Sequence, residues 1–322
     1  NEFKNNSLNL SLNRKNSQKM MIKGNISNGK IPLESKIFLN LFDLNPKLLS
    51  DKKINIETDN NFKFEINNNK IENYLVKSKI NLDKLELNKE IQDVLYLKNI
   101  KTNIILGDKL FNIDFKSNYS FIDKNFDNES ENNIINFKLD KNDSKISDVE
   151  IFVRSDNNSI NTKEFKKYLK IQKQDNLIDD QIVNINSNFK INASIDDTFS
   201  VKKFSIKSDL NFDNLNINYR SNLIKKYLTS FDNKIAIKNP QILFEYSNDI
   251  INLHLDGKYL LKNKEDNFFI KYKGSKNNFE LYSLLDLNES GLKINEVQYL
   301  KKKNIPSKLE ILLNKSIDSF NL

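Results

Sequence analysis

Phe189-Lys190-Ile191-Asn192-Ala193-Ser194-Ile195 sets an apolar side chain at every second position and a polar one between. A β-strand turns successive side chains to opposite faces, so this spacing predicts a strand with one dry face and one wet face. The alternation recurs in Leu8/Leu10/Leu12, Ile37/Leu39/Leu41, Phe62/Phe64/Ile66, Phe111/Ile113/Phe115 and Ile135/Phe137/Leu139. It continues in Ile242/Phe244/Tyr246, Ile251/Leu253/Leu255, Phe268/Ile270/Tyr272 and Phe279/Leu281/Ser283/Leu285. Asn, Lys, Asp, Glu and Ser fill most of the intervening positions. Strands wet on one face belong to antiparallel sheets, whereas buried parallel strands read as unbroken apolar runs. The expectation is a mainly β protein of about eighteen strands.

Polar clusters between these runs are predicted as turns: Ser27-Asn28-Gly29-Lys30, Asp59-Asn60-Asn61, Asn67-Asn68-Asn69, Asp266-Asn267 and Lys276-Asn277-Asn278. Glycine numbers only 6. Asn accepts positive φ better than most residues and takes over glycine's role in tight turns. Helical signals are few. Asn45-Pro46-Lys47-Leu48-Leu49 reads as a capped turn, with Asn45 as N-cap and Pro46 at the first helical position. Thr162–Lys170 and Asn222–Phe231 carry apolar residues at helical spacing, and residues 88–97 read as a short helix or an irregular strand. Helices this sparse are too short to cover the apolar face of so many strands.

Lys79-Ile80-Asn81-Leu82-Asp83-Lys84-Leu85-Glu86-Leu87 matches Asp209-Leu210-Asn211-Phe212-Asp213-Asn214-Leu215-Asn216-Ile217 in character at each position. The offset, 210 − 80 = 130 residues, predicts two similar modules, placed at residues 1–160 and 161–322. The alternative is chance likeness in a chain dominated by Asn, Asp and Leu.

Composition removes several classes of function. The 322 residues include no Cys, no Trp and one His, which excludes disulfides, thiol chemistry and a histidine metal cluster. The net charge of +8 is carried almost wholly by Lys spread along the chain; Lys301-Lys302-Lys303 is the one run. Arg, the residue suited to phosphate and base edges, occurs only at 14, 154 and 220, so nucleic acid is not an expected partner. An A+T-rich coding sequence accounts for the abundance of Asn, Lys, Ile and Phe. Hydrophobic content of 38%, placed in register, excludes a disordered chain. No run approaches eighteen apolar residues, so no membrane-spanning helix is predicted. A chain opening on Asn1 rather than Met points to a fragment or a processed form.

Candidate chemical motifs fail on their context. Gly24-Asn25-Ile26-Ser27-Asn28-Gly29-Lys30 fits the phosphate-loop spacing, but Ile31 and Pro32 stand where a hydroxyl and a helix are required. Asn28-Gly29 reads instead as a two-residue hairpin turn. Asp127-Asn128-Glu129-Ser130-Glu131-Asn132 lacks the glycine and the distal glutamate of a calcium loop. His254 falls on the polar side of its strand with no second ligand, and Asp179-Asp180 and Asp196-Asp197 sit in connections. No catalytic residue, metal site or cofactor is predicted.

A long sheet with one apolar face can pack on a second sheet, close into a barrel, or curl into a groove that an apolar ligand fills. The apolar runs read as mostly shorter than the roughly ten-residue strands of transmembrane barrels, and their aromatics sit mid-strand rather than in girdles. The groove is therefore the expectation: an elongated antiparallel sheet with a few short helices. The repeated apolar-Asn-apolar-Asp-x-Leu-x-apolar segments (79–87 and 209–217), set among short amphipathic strands, resemble the AsmA-like superfamily, in particular its YhdP type. That resemblance implies a periplasmic β-groove, anchored in the inner membrane outside this stretch, which carries phospholipid between inner and outer membranes without catalysis. Strand spacing near 4.8 Å would let about eighteen strands extend roughly 80 Å.

The expected lipid-lining residues in the first half are Phe62, Phe64, Ile66, Ile80, Leu82, Phe111, Ile113, Phe115, Ile135, Phe137 and Leu139. In the second half they are Phe189, Ile191, Leu210, Phe212, Ile242, Phe244, Tyr246, Ile251, Leu253, Phe268, Ile270, Tyr272, Phe279 and Leu281. The expected partners are phospholipid acyl chains and the membrane. A structural or surface-adhesive sandwich or solenoid, its apolar faces packed on each other, is the alternative.

Overall fold

A computed structural model describes residues 6–14, 18–37, 53–85, 96–120, 133–142, 145–163, 178–196, 198, 200–218, 221–228, 231, 233–261, 265–275, 277–316 and 320–321. The fold is mainly β, with a large antiparallel sheet of 17 strands and a separate two-stranded hairpin. No sheet is strongly curled. Contacts divide the chain into two units, Asn1–Arg154 with Lys190–Phe204, and Ser155–Phe189 with Ser205–Leu322.

The first unit is a meander in which each strand pairs antiparallel with the next. It comprises β1 (Ser7–Arg14), β2 (Lys19–Glu34), β3 (Lys53–Asn67), β4 (Lys70–Leu85), β5 (Tyr96–Gly107), β6 (Leu110–Ser120) and β7 (Ile134–Asn142). The opening part of β8 (Ile146–Asn161) and the hairpin between β9 (Ile182–Asp196) and β10 (Val201–Phe212) complete it. Five buried residues, Ile54, Ile56, Ile80, Leu82 and Ile100, form its core, with Ile31, Leu33, Leu97 and Phe115 packed around them.

The second unit holds the remaining parts of β8, β9 and β10, then β11 (Asn214–Asn218), α1 (Asn222–Tyr227), β12 (Lys234–Ser247), β13 (Ile250–Leu260), β14 (Glu265–Gly274) and β15 (Phe279–Asp286). The hairpin of β16 (Leu292–Ile294) and β17 (Tyr299–Lys301) precedes β18 (Lys308–Lys315) and β19 (Phe320–Asn321). Ser221 caps α1 by accepting a hydrogen bond from Ile224 N at 3.1 Å. The helix is shorter than its predicted span to Phe231 because Leu228 turns extended and bridges to Leu292. Phe231, Tyr259, Leu261 and Phe268 form the buried core, with Ile224 and Leu228 among the residues against it.

A shared ground plan links the two units. A register shift in the β5–β6 ladder between Lys98 and Lys101 surrounds Asn99, whose φ is 51°. The β12–β13 ladder shifts between Lys238 and Gln241 around Asn239, whose φ is 44°. The offset is 239 − 99 = 140 residues, and it also relates buried Tyr119, opposite Leu97, to buried Tyr259, opposite Ile237. The tight turns Asp108-Lys109 and Asn248-Asp249 fall at the same offset. A bulge, a buried tyrosine and a turn recurring in the same order extend the likeness well beyond the repeated nonapeptides.

Several sequence expectations are corrected. Ser27-Asn28-Gly29-Lys30 is not a hairpin: β2 runs straight through it, with a register shift against β3 between Asn28 and Ile31. Asp59-Asn60-Asn61 lies in the middle of β3. Cross-strand bonds hold this polar stretch extended, among them Asn25 Nδ2 to Asp59 Oδ1 at 2.7 Å and to Asn61 Oδ1 at 3.1 Å. Asp266-Asn267 is part of β14, where Asp266 pairs with Tyr259 and is buried. The strands are longer than expected, up to 16 residues, because polar residues on both faces hid their continuity. Ser35–Ile37 is helical rather than strand, and Leu39 and Leu41 lie outside the described residues. The helical readings at Asn45–Leu49, residues 88–95 and 164–170, and the acidic stretch Asp127–Asn132, also lie outside them.

The turns at Asn68-Asn69 and Asn277-Asn278 stand where predicted. Of ten described non-glycine residues at positive φ, eight are Asn, which is how a chain so poor in glycine makes its turns and bulges.

Candidate functional site

Antiparallel partners point to the same face, so the ladder registers show which side chains form a surface together. In the first unit one row runs Ile22–Phe64–Tyr74, and the next runs Gly24–Phe62–Val76–Leu106–Phe111. A third runs Ser78–Ile104–Ile113–Leu139–Val149, and a fourth Thr102–Phe115–Phe137–Ile151. Ile66 opposes Met20, and Ile135 opposes Val153, on the same face. The wet residues of β8 and β9 meet through Lys190–Glu150 at 2.7 Å and Ser194 to Asp148 at 2.8 Å, which by alternation leaves Ile191 on the dry face.

The second unit repeats the arrangement. Leu210–Ile242–Leu255–Ile270–Ser283–Ile311 forms one row, and Phe244–Leu253–Tyr272–Leu281–Leu313 another. Tyr246–Ile251–Gly274–Phe279 forms a third, and Gly257–Phe268–Leu285–Leu309 a fourth. Phe212 shares this face by alternation with Leu210 on β10, and Phe189 sits on β9 in phase with Val183 and Ser187.

Within each unit the predicted residues therefore share one face, but they are not equally open. Ile80, Leu82 and Phe268 belong to the buried cores. The other predicted residues are half-buried. On β1 the same face carries Leu8, Leu10 and Leu12 at 60–65% exposure. Among the described residues of each unit, elements pack mainly against their sheet neighbours, and α1 packs on β16 and, through Ile224, against the core that includes Phe268. Adjacent side chains along the rows shield one another, and in the second unit Ile224 and Leu228 add to that cover near Phe268.

Two features shape the face of the first unit. Gly24 leaves room for the Phe62 ring, whose Cζ fills the space a Cβ would need, with Leu10 Cδ2 2.8 Å from that position. A polar patch interrupts the face between its open half and the core: Asn28 Nδ2 donates to Thr58 Oγ1 at 2.9 Å, and Asn60 Nδ2 donates to the same oxygen at 3.2 Å. Sequence reading missed much of the face, including Ile22, Val76, Ile104, Val149, Ile151 and Val153. Apolar neighbours on the wet side, such as Ile105 beside Ile104 and Phe152 between Ile151 and Val153, blurred the period-two signal there.

The opposite face is a lattice of ion pairs and amides. Lys207 pairs with Glu245 at 2.8 Å, and Glu265 takes Lys238 at 2.6 Å and Lys258 at 3.2 Å. The bonds from Lys238 and then Lys258 hold the Glu265 carboxyl below the usual carboxylate range. Exposed pairs of this kind add little stability and mainly keep the face wet. His254 rests edge-on against Phe269, with ring centroids 4.7 Å apart, and lies 3.4 Å from Asp256. Among the described residues no three His, Asp or Glu side chains are grouped to hold a metal ion. No described helix is long and apolar enough to cross a membrane, which leaves spanning by strands unaddressed. Comparison with family models, curated proteins and solved structures finds no match.

Proposed function

We propose that this chain is a non-enzymatic lipid-binding segment whose apolar sheet face takes up phospholipid acyl chains. The observation that carries the reading is the set of register-aligned rows of Ile, Leu, Phe and Val, most of them half-buried rather than sealed, with α1 packing at the Phe268 end of the second unit's face. Moving an acyl chain from water onto such a surface recovers about 0.8 kcal/mol for each methylene buried. The gain needs no specific polar contact, so chains can slide along the rows. In this reading the face is the floor of a groove that passes phospholipid across the periplasm between inner and outer membranes, the role implied by the AsmA-like resemblance. The wet face, rich in Lys, Asn and Glu, keeps the carrier dispersed in water.

The test is to express residues 1–322, purify them without detergent, and extract the protein for lipid mass spectrometry. Co-purified phospholipid, lost when Phe62, Phe64 and Ile113 are replaced by Asn, is the expected result. A folded, lipid-free protein would refute the reading and favour a structural or adhesive role.

A further inference from the structure

The connection between β15 and β18, within the second unit, combines a tightly held base with an apolar, basic tip. At the base, buried Lys301 donates from Nζ to the carbonyl oxygens of Leu287 and, at 2.6 Å, Ser290. The Asp266 carboxylate accepts from the backbone N–H groups of Asn288 and Glu289, each at 3.2 Å. Leu287 N donates to Ser307 O at 2.9 Å, which closes the loop. The β16–β17 hairpin is fixed to α1 through the Leu228–Leu292 bridge and the pairing of Lys226 with Glu296.

This anchored frame holds apolar side chains out in water. Val297 is 69% exposed, Leu300 61%, Ile305 49% and Tyr299 48%, all within nine residues. Lys293, directly opposite Leu300 in the hairpin, and Lys302 and Lys303 are exposed around them. Exposed apolar residues scattered singly need no explanation, but four within one short connection do. They lie on both faces of a fixed hairpin tip that Lys293, Lys302 and Lys303 flank and whose one acidic residue, Glu296, is held by Lys226. The same pairing of features suits the boundary of an anionic bilayer: aliphatic and tyrosine side chains enter below the headgroups while ammonium groups meet the phosphates. Lys302 and Lys303, part of the one basic run in the chain, thereby gain a role that the sheet faces do not give them.

We infer that the 293–305 tip is a docking site for the surface of an anionic phospholipid membrane. This site is separate from the apolar sheet face, and the two can fail independently. Purified residues 1–322 are to be sedimented with vesicles of phosphatidylcholine alone or of phosphatidylcholine with phosphatidylglycerol. Binding is expected only to the anionic vesicles, weakened by added salt, and roughly thirtyfold weaker in the Lys302→Gln/Lys303→Gln variant. The Val297→Asn/Leu300→Asn/Ile305→Asn variant should also lose binding while keeping the wild-type circular dichroism. Because the chain lacks Trp, Leu300→Trp supplies a unique reporter whose emission should shift to the blue on the anionic vesicles.

Phe64→Asp should leave vesicle binding intact while losing any co-purified lipid, which separates this site from the proposed acyl-chain face. Three outcomes would overturn the inference: no binding to anionic vesicles, binding indifferent to the tip substitutions, or a dimer that the apolar variant converts to monomer, which would assign the patch to a second copy of the chain.

Discussion

Replacing Phe244 by Asp decides whether the apolar face is open or covered. Phe244 lies on β12 between Ser208 and Leu253 and is half-buried. Full burial of such a side chain stabilises by about 1.5–3 kcal/mol, so losing half of it costs about 1–1.5 kcal/mol. The poor fit of Asp to a strand adds up to about 1 kcal/mol. On an open face the new carboxylate stays hydrated, and the expected loss is about 2 kcal/mol. Under a second packed layer the carboxylate would lose its water without a partner, at a cost of several kcal/mol more. Leu82→Asp is the internal control, since Leu82 is 4% exposed among Ile54, Ile56, Ile80 and Ile100, and that variant should not fold. Urea unfolding followed by far-ultraviolet circular dichroism or tyrosine fluorescence reads both, the chain having no Trp. If Phe244→Asp unfolds the protein as Leu82→Asp does, the face is covered and the lipid reading falls with it.

Three further outcomes follow from particular contacts. Gly24→Ala should destabilise by about 1–3 kcal/mol through collision with the Phe62 ring, and Phe62→Leu in the same chain should recover part of the loss, a non-additivity visible in a double-mutant cycle. Asn99→Ala and Asn239→Ala should each cost about 1 kcal/mol of stability in urea titrations because both residues hold positive φ, whereas the Gly variants should be near neutral. Asp196 accepts from Lys202, from the Thr198 hydroxyl and from Ser200 N, and these bonds, Lys202 foremost, hold its carboxyl well below the usual range. With the folded pKa below the unfolded one, its support of the β9–β10 hairpin is complete above about pH 4 and fades as pH falls toward the folded value. Amide protection factors across that hairpin, taken relative to the intrinsic exchange rate at each pH, should therefore fall selectively in acid, and Asp196→Asn should remove that fall.

The strands were legible because their signal is local and repeated: Phe111/Ile113/Phe115 and Phe268/Ile270/Tyr272 each declare a face within five residues. The stretch from Thr58 to Asn61 was not, since its side chains are polar toward both faces and a polar run reads as a turn. Distant partners make that stretch a strand: β4 pairs along one edge, and Asn25, Ser27 and Asn28 on β2 bond to it from the other across about thirty residues of sequence. Asn28-Gly29 misled for a related reason. The dipeptide suits a hairpin, but the chain does not reverse there, and the β2–β3 ladder takes it up as a register shift between Asn28 and Ile31.

Alternation by itself determined that this is an antiparallel β protein with one dry face, because the period of a strand is a property of each residue's own geometry. Composition by itself removed thiol, disulfide and histidine-metal chemistry. The tertiary structure decided which part of the dry face is core and which is open. Ile80 and Phe62 look alike in sequence, yet Ile80 is sealed among Ile54, Ile56, Leu82 and Ile100, while Phe62 lies half-buried over Gly24. Burial is set by neighbours distant in the chain, and so are the pairing of Asn99 with Asn239 as equivalent bulges and the lifting of Val297, Leu300 and Ile305 into water on a base pinned by Lys301.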